Sequence, residues 1–158
     1  MDINSYYIKT VLMEYWRFNR QCLCADEVMT SDIIIIRKDG LVHEIEVKCA
    51  KNDLCNLELK KSKHYNTDFR FCPHYFSFAV PTELVEDAKT IINKLNPKYG
   101  LIEINTKLYP PVCIRISPKK IHDYDTSNEL WKERVIYRLN SALIGYMKRT
   151  HLNEDKND

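Results

Sequence analysis

Three residues in one short stretch carry types that can do chemistry together: Asp32, Glu46 and Lys48. Asp32 begins the β-branched run Ser31-Asp32-Ile33-Ile34-Ile35-Ile36-Arg37, while Glu46 and Lys48 end a second strand-like run from Leu41 to Lys48. Lys38-Asp39-Gly40 between them is a turn signal, so the two runs form a hairpin that gathers the three residues at its open end. If Arg37 pairs with Leu41 across a three-residue loop, the same register sets Asp32 opposite Glu46. Directly opposed residues share a face, with Cβ atoms about 4.5–5.5 Å apart, and the period of two puts Lys48 on that face as well. A two-residue loop would turn Asp32 away unless a bulge restored it. Gly40 therefore controls register before it controls the core.

Two carboxylates this close repel one another unless a proton or a cation intervenes. Oxygen donors of this kind suit Mg²⁺ or Mn²⁺, commonly held by one or two carboxylates with water and a substrate phosphate. Such an ion polarises a phosphoryl oxygen and acidifies a bound water. Lys48 would orient that water or stabilise charge developing on the phosphate. Glu14, near the end of the first predicted helix, would add a carboxylate from the opposite wall.

The elements that must position these residues follow from periodicity. Ser5 to Arg20 spaces Ile8, Val11, Leu12, Tyr15 and Trp16 as one face of a helix. Asp26-Glu27 reads as loop. Asn52 to Tyr65 suits a short helix or loop-helix with a basic face. His74 to Val80 is a third strand ending at Pro81, and Glu83 to Leu95 is a helix with acids first and a lysine near its end. Tyr99 to Asn105 and Val112 to Ile116 are two more strands. Thr126-Ser127-Asn128-Glu129 fits a capping box for a helix to about Arg149, with Leu130, Leu139, Leu143, Tyr146 and Met147 near one stripe. The order predicts one mixed α/β domain over 1–150, with 151–158 a polar C-terminal tail.

Composition narrows the alternatives. The chain has 158 residues, 44% hydrophobic and 29% charged, which describes a globular domain able to bury its own core. Its three glycines allow neither a phosphate loop nor a GxGxxG turn, so no nucleotide cofactor is expected. The longest purely apolar run, Ile33 to Ile36, is far below the ~20 residues of a membrane helix. With no secretory signal visible, a cytoplasmic setting and no membrane partner are expected, and the six cysteines are read as reduced, mostly structural thiols. The net charge of +2 leaves an anionic partner open, since placement of charge matters as much as its sum.

Asp32, thirteen residues, and then Glu46-Val47-Lys48 resembles the PD-(D/E)xK nuclease superfamily. More narrowly, Glu46-Val47-Lys48 with Asp53, and Phe71-Cys72 followed by Tyr75-Phe76-Ser77-Phe78-Ala79-Val80-Pro81, look like the MmcB-like DNA-repair branch. The resemblance covers Asp32 to Pro81. It departs at Ser31, where the superfamily has proline, at Pro73, where the branch has aspartate, and eleven residues after Lys48, where Leu59 stands one step before Lys60. The resemblance implies a restriction-endonuclease-like three-layer core, a mixed central sheet flanked by helices, and metal-dependent hydrolysis of DNA. It implies Asp32, Glu46 and the Val47 backbone carbonyl as metal ligands, Lys48 as the catalytic lysine and Glu14 as an assisting carboxylate. DNA would lie on Lys48, Lys51, Lys60, Lys61, Lys63, His64 and Arg70, with Tyr65 as a stacking candidate and Arg134, Arg138, Lys148 and Arg149 as a second basic face. Such contacts are salt-sensitive and independent of base sequence. Cutting both strands would call for a homodimer. The alternative is a non-catalytic DNA-binding or protein-interaction module that keeps the fold.

Overall fold

The computed structural model describes residues 3–65, 72–124 and 128–154. Its centre is a six-stranded sheet in sequence order: β1 (Leu23–Val28), β2 (Ser31–Ile36), β3 (Val42–Val47), β4 (Tyr75–Pro81), β5 (Gly100–Ile104) and β6 (Val112–Ile116). β3, β4 and β5 run parallel, and the outer pairings are antiparallel. Three helices flank it: α1 (Ser5–Glu14), α2 (Val85–Leu95) and α3 (Asn128–Glu154). The chain is thus an α/β protein with a mixed sheet, as expected.

The alternation of side chains along the strands makes two apolar faces. Ile33, Ile35, Ile45, Val47 and Ala79 pack under α1 through Ile8 and Leu12. On the other face Phe76, Phe78, Val80 and Leu101 meet α2, whereas Ile34, Ile36 and Val42 meet Trp131 and Val135 of α3. Each large aliphatic chain buried here stabilises the fold by roughly 1.5–3 kcal/mol. α1 is opened by Asn4, whose side-chain oxygen accepts the Tyr7 N–H at 2.9 Å. α2 carries Glu86 and Asp87 in its first turn and Lys94 in its last, matching the helix dipole.

The hairpin turn has the three-residue form. Arg37 N–H donates to Leu41 O, Gly40 N–H donates to Arg37 O, and Gly40 takes φ +79°. β2 and β3 then pair Ile36 with Val42 through Ile33 with Ile45, the expected register, but the ladder stops there, one step short of Asp32 and Glu46.

Three elements differ from the sequence reading. β1 contains Asp26 and Glu27, read as loop, because Glu27 and Met29 adopt positive φ and interrupt the alternation that marks a strand. The buried stripe of α3 is Trp131, Val135 and Leu139, while Leu143, Tyr146 and Met147 are about half exposed beyond the sheet edge. α3 also continues to Glu154, past the expected start of the tail at 151. Of the expected capping box, Thr126 and Ser127 lie outside the described residues.

Gly100 is the tightest glycine. A Cβ there would fall 2.3 Å from Ser77 Oγ and 2.8 Å from Pro118 Cδ, and Ser77 Oγ is itself 2.9 Å from His43 Nε2 in the core. Gly100→Ala should destabilise by about 1–3 kcal/mol or more through overpacking. Gly40→Ala meets nothing within 4 Å and should lose only the roughly 1–2 kcal/mol of its left-handed backbone. Thermal melts of both variants check the order.

Candidate active site

α2 covers β4 and β5, and α3 covers β1 and β2 and reaches β3 only near Val42, so among the described residues no α-helix lies over the rest of that face of β3. That uncovered strip carries Glu44, Glu46 and, just beyond the strand, Lys48, all buried. It is covered instead by the stretch after β3, a π-helical turn at Asp53–Leu57 and 3₁₀ turns at Glu58–Lys60 and Ser62–His64. These turns lay charged groups on the strip.

Lys48 Nζ is 2.8 Å from Glu46 Oε1 and 3.0 Å from Glu58 Oε2. Lys61 pairs with the same two carboxylates, and Lys63 bridges Glu44 at 2.9 Å and Glu46 at 2.5 Å. Glu58 is fully buried. Its Oε1 lies 2.6 Å from His64 Nε2, whose other ring nitrogen is 3.1 Å from the Tyr99 hydroxyl. Glu58 Oε2 has no partner with hydrogen-bond angles and is held by the charges of Lys48 and Lys61.

Burial pushes the Glu58 carboxyl upward, but the hydrogen bond with His64 and the ammonium groups of Lys48 and Lys61 outweigh it and hold it at about 2. Burial acts the same way on Glu46, and the Lys63 charge with hydrogen bonds from Lys48, Lys61 and Lys63 brings it below the usual range. For Lys48 burial favours the neutral amine, yet Glu46 and Glu58 raise it above the ordinary lysine value. Glu46 and Glu58 are therefore held as carboxylates, and Lys48 and Lys63 as ammonium groups, at neutral pH.

Asp32 stands at the rim of this cluster. It has no Cα partner in either ladder. One carboxylate oxygen accepts the Val47 N–H at 2.8 Å, and the other lies 2.9 Å from Lys9 Nζ, an ammonium that also pairs with Glu27. Asp32 and Glu46 are thus joined through the Val47 amide, although their carboxylates take different lysines.

The remaining expected residues are placed as follows. Glu14 is exposed at the end of α1, and Trp16, two residues on, packs edge-on against His43 at the opposite end of β3 from Glu46. The α1 residue that reaches Asp32 is Lys9. Lys51 pairs with Asp87 at 2.9 Å, Lys60 is exposed, and Tyr65 is 64% exposed with its hydroxyl donating to Leu59 O. His64, expected on the basic surface, has its side chain buried between Glu58 and Tyr99. Arg138 pairs with Asp26 at 3.1 Å, and Arg70 lies outside the described residues. Before Glu58 the backbone takes a wider, π-type turn in which Glu58 N–H bonds back to Asp53 O.

Sequence reading missed Glu44, Glu58, Lys9 and Tyr99. Glu44-x-Glu46-x-Lys48 was legible as one face of a strand. Glu58 gave no signal beyond its i,i+3 relation to Lys61.

The carboxylates at the open end of the hairpin already have partners: Glu46 takes Lys48, Lys61 and Lys63, while Asp32 takes Lys9 and the Val47 N–H. Among the described residues no group of three or more His, Cys, Asp or Glu side chains forms a metal cluster. A divalent cation resting on Asp32, Glu46 and water would have to displace these lysines.

Fold and site together define an α/β protein with a charged strip on the central strand of a mixed sheet. In overall shape it is similar to the SPO1766 protein of unknown function from Silicibacter pomeroyi, with a TM-score of 0.65 at 10% identity over 95% of this chain and 96% of that one. At that identity the likeness speaks for the fold alone. No family model and no curated protein matches the chain. Among the described residues no helix is long and apolar enough to cross a membrane.

Proposed function

We propose that this chain has a restriction-endonuclease-like core and hydrolyses DNA phosphodiester bonds with Mg²⁺ or Mn²⁺. The observation that carries the reading is the β2–β3 register, which brings Asp32, Glu46 and Lys48 to one end of the hairpin beside a strip that concentrates lysines. Asp32, Glu46 and the Val47 carbonyl would hold the ion, which supplies an acidified water and a Lewis acid for the phosphoryl oxygen.

The chain's own residues do the rest. Lys48, fixed between two carboxylates, stays an ammonium, so it serves as a hydrogen-bond donor and fixed positive charge and not as a base. Lys61 and Lys63 ride on short turns with side chains 38% and 27% exposed. They are placed to exchange Glu46 for phosphate oxygens when a strand arrives. The carboxyl ends of β3 and β4 form the rim at which a ligand meets an open α/β sheet.

A second reading, a module that binds DNA without cutting it, is favoured by the ammonium partner each carboxylate of the cluster already has. Calorimetric titration with Mg²⁺ and Mn²⁺, and incubation with single-stranded, duplex and branched DNA plus Mn²⁺, separate the two. The nuclease reading expects metal binding that Glu46→Gln weakens and cleavage that Asp32→Ala abolishes. Metal silence without cleavage leaves the module, and cleavage that survives Asp32→Ala means a different centre.

A further inference from the structure

We propose that α3 pairs with the α3 of a second copy of this chain, the two helices antiparallel, so that the projecting half of each lies along the sheet-bound half of the other. The first half of α3 is held on β1 and β2 through Trp131, Val135 and Leu139. From Ser141 to Arg149 every residue but Gly145 is exposed. The helix continues to Glu154, roughly 22 Å past Leu139 at 1.5 Å per residue. A helical stretch of that length with no packed face is marginal in water, and this one carries large apolar side chains.

Ile136, Leu139, Leu143 and Tyr146 follow one another at intervals of three, four and three residues, the spacing of a seam that packs helix against helix. The seam is complementary to itself when reversed. Setting Leu139 of one copy against Leu143 of the other also sets Ile136 against Tyr146, and leaves the polar Lys132 against Thr150 at each end. Charge favours the same direction. Between Leu139 and Thr150 the charged residues are Lys148 and Arg149, which antiparallel packing places beside the half that carries Glu129 and Glu133. Parallel packing would set them beside their own copies, like charge against like. The area suffices as well: Ile136, Leu143, Tyr146 and Met147 are each about half exposed (48–60%), so about 450 Å² of large side chain per copy is open, and with flanking atoms the pair reaches the ~1,200 Å² at which stable interfaces begin.

Sedimentation equilibrium of the full chain from about 1 to about 100 µM tests the pairing, and twice the chain mass of 18.8 kDa is expected at the upper end. Leu143→Glu puts a carboxylate on the seam and should raise the dimer dissociation constant by about 100-fold or more. Ile144→Glu changes an equally exposed residue about 100° round the helix, and should leave the constant within about threefold. A chain that stays monomeric at the upper concentration overturns the proposal, whether or not it adsorbs to phosphatidylglycerol vesicles, and so do equal effects of the two substitutions. A benzophenone amino acid in place of Ile136 reads the direction. Photo-crosslinks to the turn around Tyr146 of the second copy are expected, and crosslinks between the two Ile136 positions would mean a parallel pair and overturn the arrangement. Leu143 is exposed in the single chain, so Leu143→Glu should fold; if it does not, the mass of the unaltered chain and the crosslink still decide.

Discussion

On the proposed nuclease reading, Lys48→Met is expected to lower metal-dependent cleavage by about 10²–10³-fold or more in a chain that still folds. Methionine keeps most of the apolar stem and removes only the ammonium. The Lys48 side chain is 10% exposed and its ammonium lies between Glu46 and Glu58, so no solvent cation replaces it in the same geometry. A lost, preorganised donor at a developing oxyanion costs a rate factor of about that size. Removing one partner of a buried ion pair also costs roughly 3–5 kcal/mol, and the loss here should fall at the lower end because Lys61 still reaches both carboxylates. Lys38→Met, at an exposed lysine of the β2–β3 turn at the far end of the hairpin from Glu46, is the control and should change neither quantity. Time courses on supercoiled DNA, together with urea denaturation, measure the two effects. A folded Lys48→Met variant that still cuts would remove Lys48 from the chemistry.

Glu58→Gln has the second largest expected effect, and it appears in stability. Glu58 is held at about 2 in the folded chain against an ordinary carboxyl value of 4.5. A carboxyl depressed on folding stabilises the fold above the unfolded value, and that stability is lost as pH falls through the folded one. The unaltered chain should therefore lose about 3 kcal/mol between pH 4.5 and 2 on account of this group. Glutamine does not titrate, so the variant should start less stable by a similar amount at pH 7 and show a flatter profile across that window. Denaturation midpoints at pH 7, 4.5 and 3 check it. Parallel profiles for the two proteins would mean that the lysines and His64 do not depend on this carboxylate.

Glu58 also marks where the reading of residues stopped. Its neighbours in sequence, Leu57 and Leu59, suggest only a helical or looped segment with a basic face. What makes it central is the π turn before it and the strip of β3 that no α-helix covers. Neither follows from periodicity, because both depend on where α2 and α3 settle. Glu14 shows the converse. Its type suited an assisting role, but α1 runs along the sheet so that Lys9 lies over Asp32 while the end of the helix approaches His43.

The hairpin was open to inference because its determinants are local. The sequence allowed a two- or a three-residue loop before Gly40, and the three-residue form adopted sets the register that brings Asp32, Glu46 and Lys48 to one end of the hairpin within a short span of chain. The succession of strands and helices was open for the same reason, apart from β1, whose backbone departs from strand alternation at Glu27. The pairing of Lys48 with Glu58, of His64 with Tyr99 and of Asp32 with Lys9 belongs to tertiary packing. These contacts join segments that share no local code, and burial sets their strength, since a charge removed from water must find its counter-charge wherever the fold has left one.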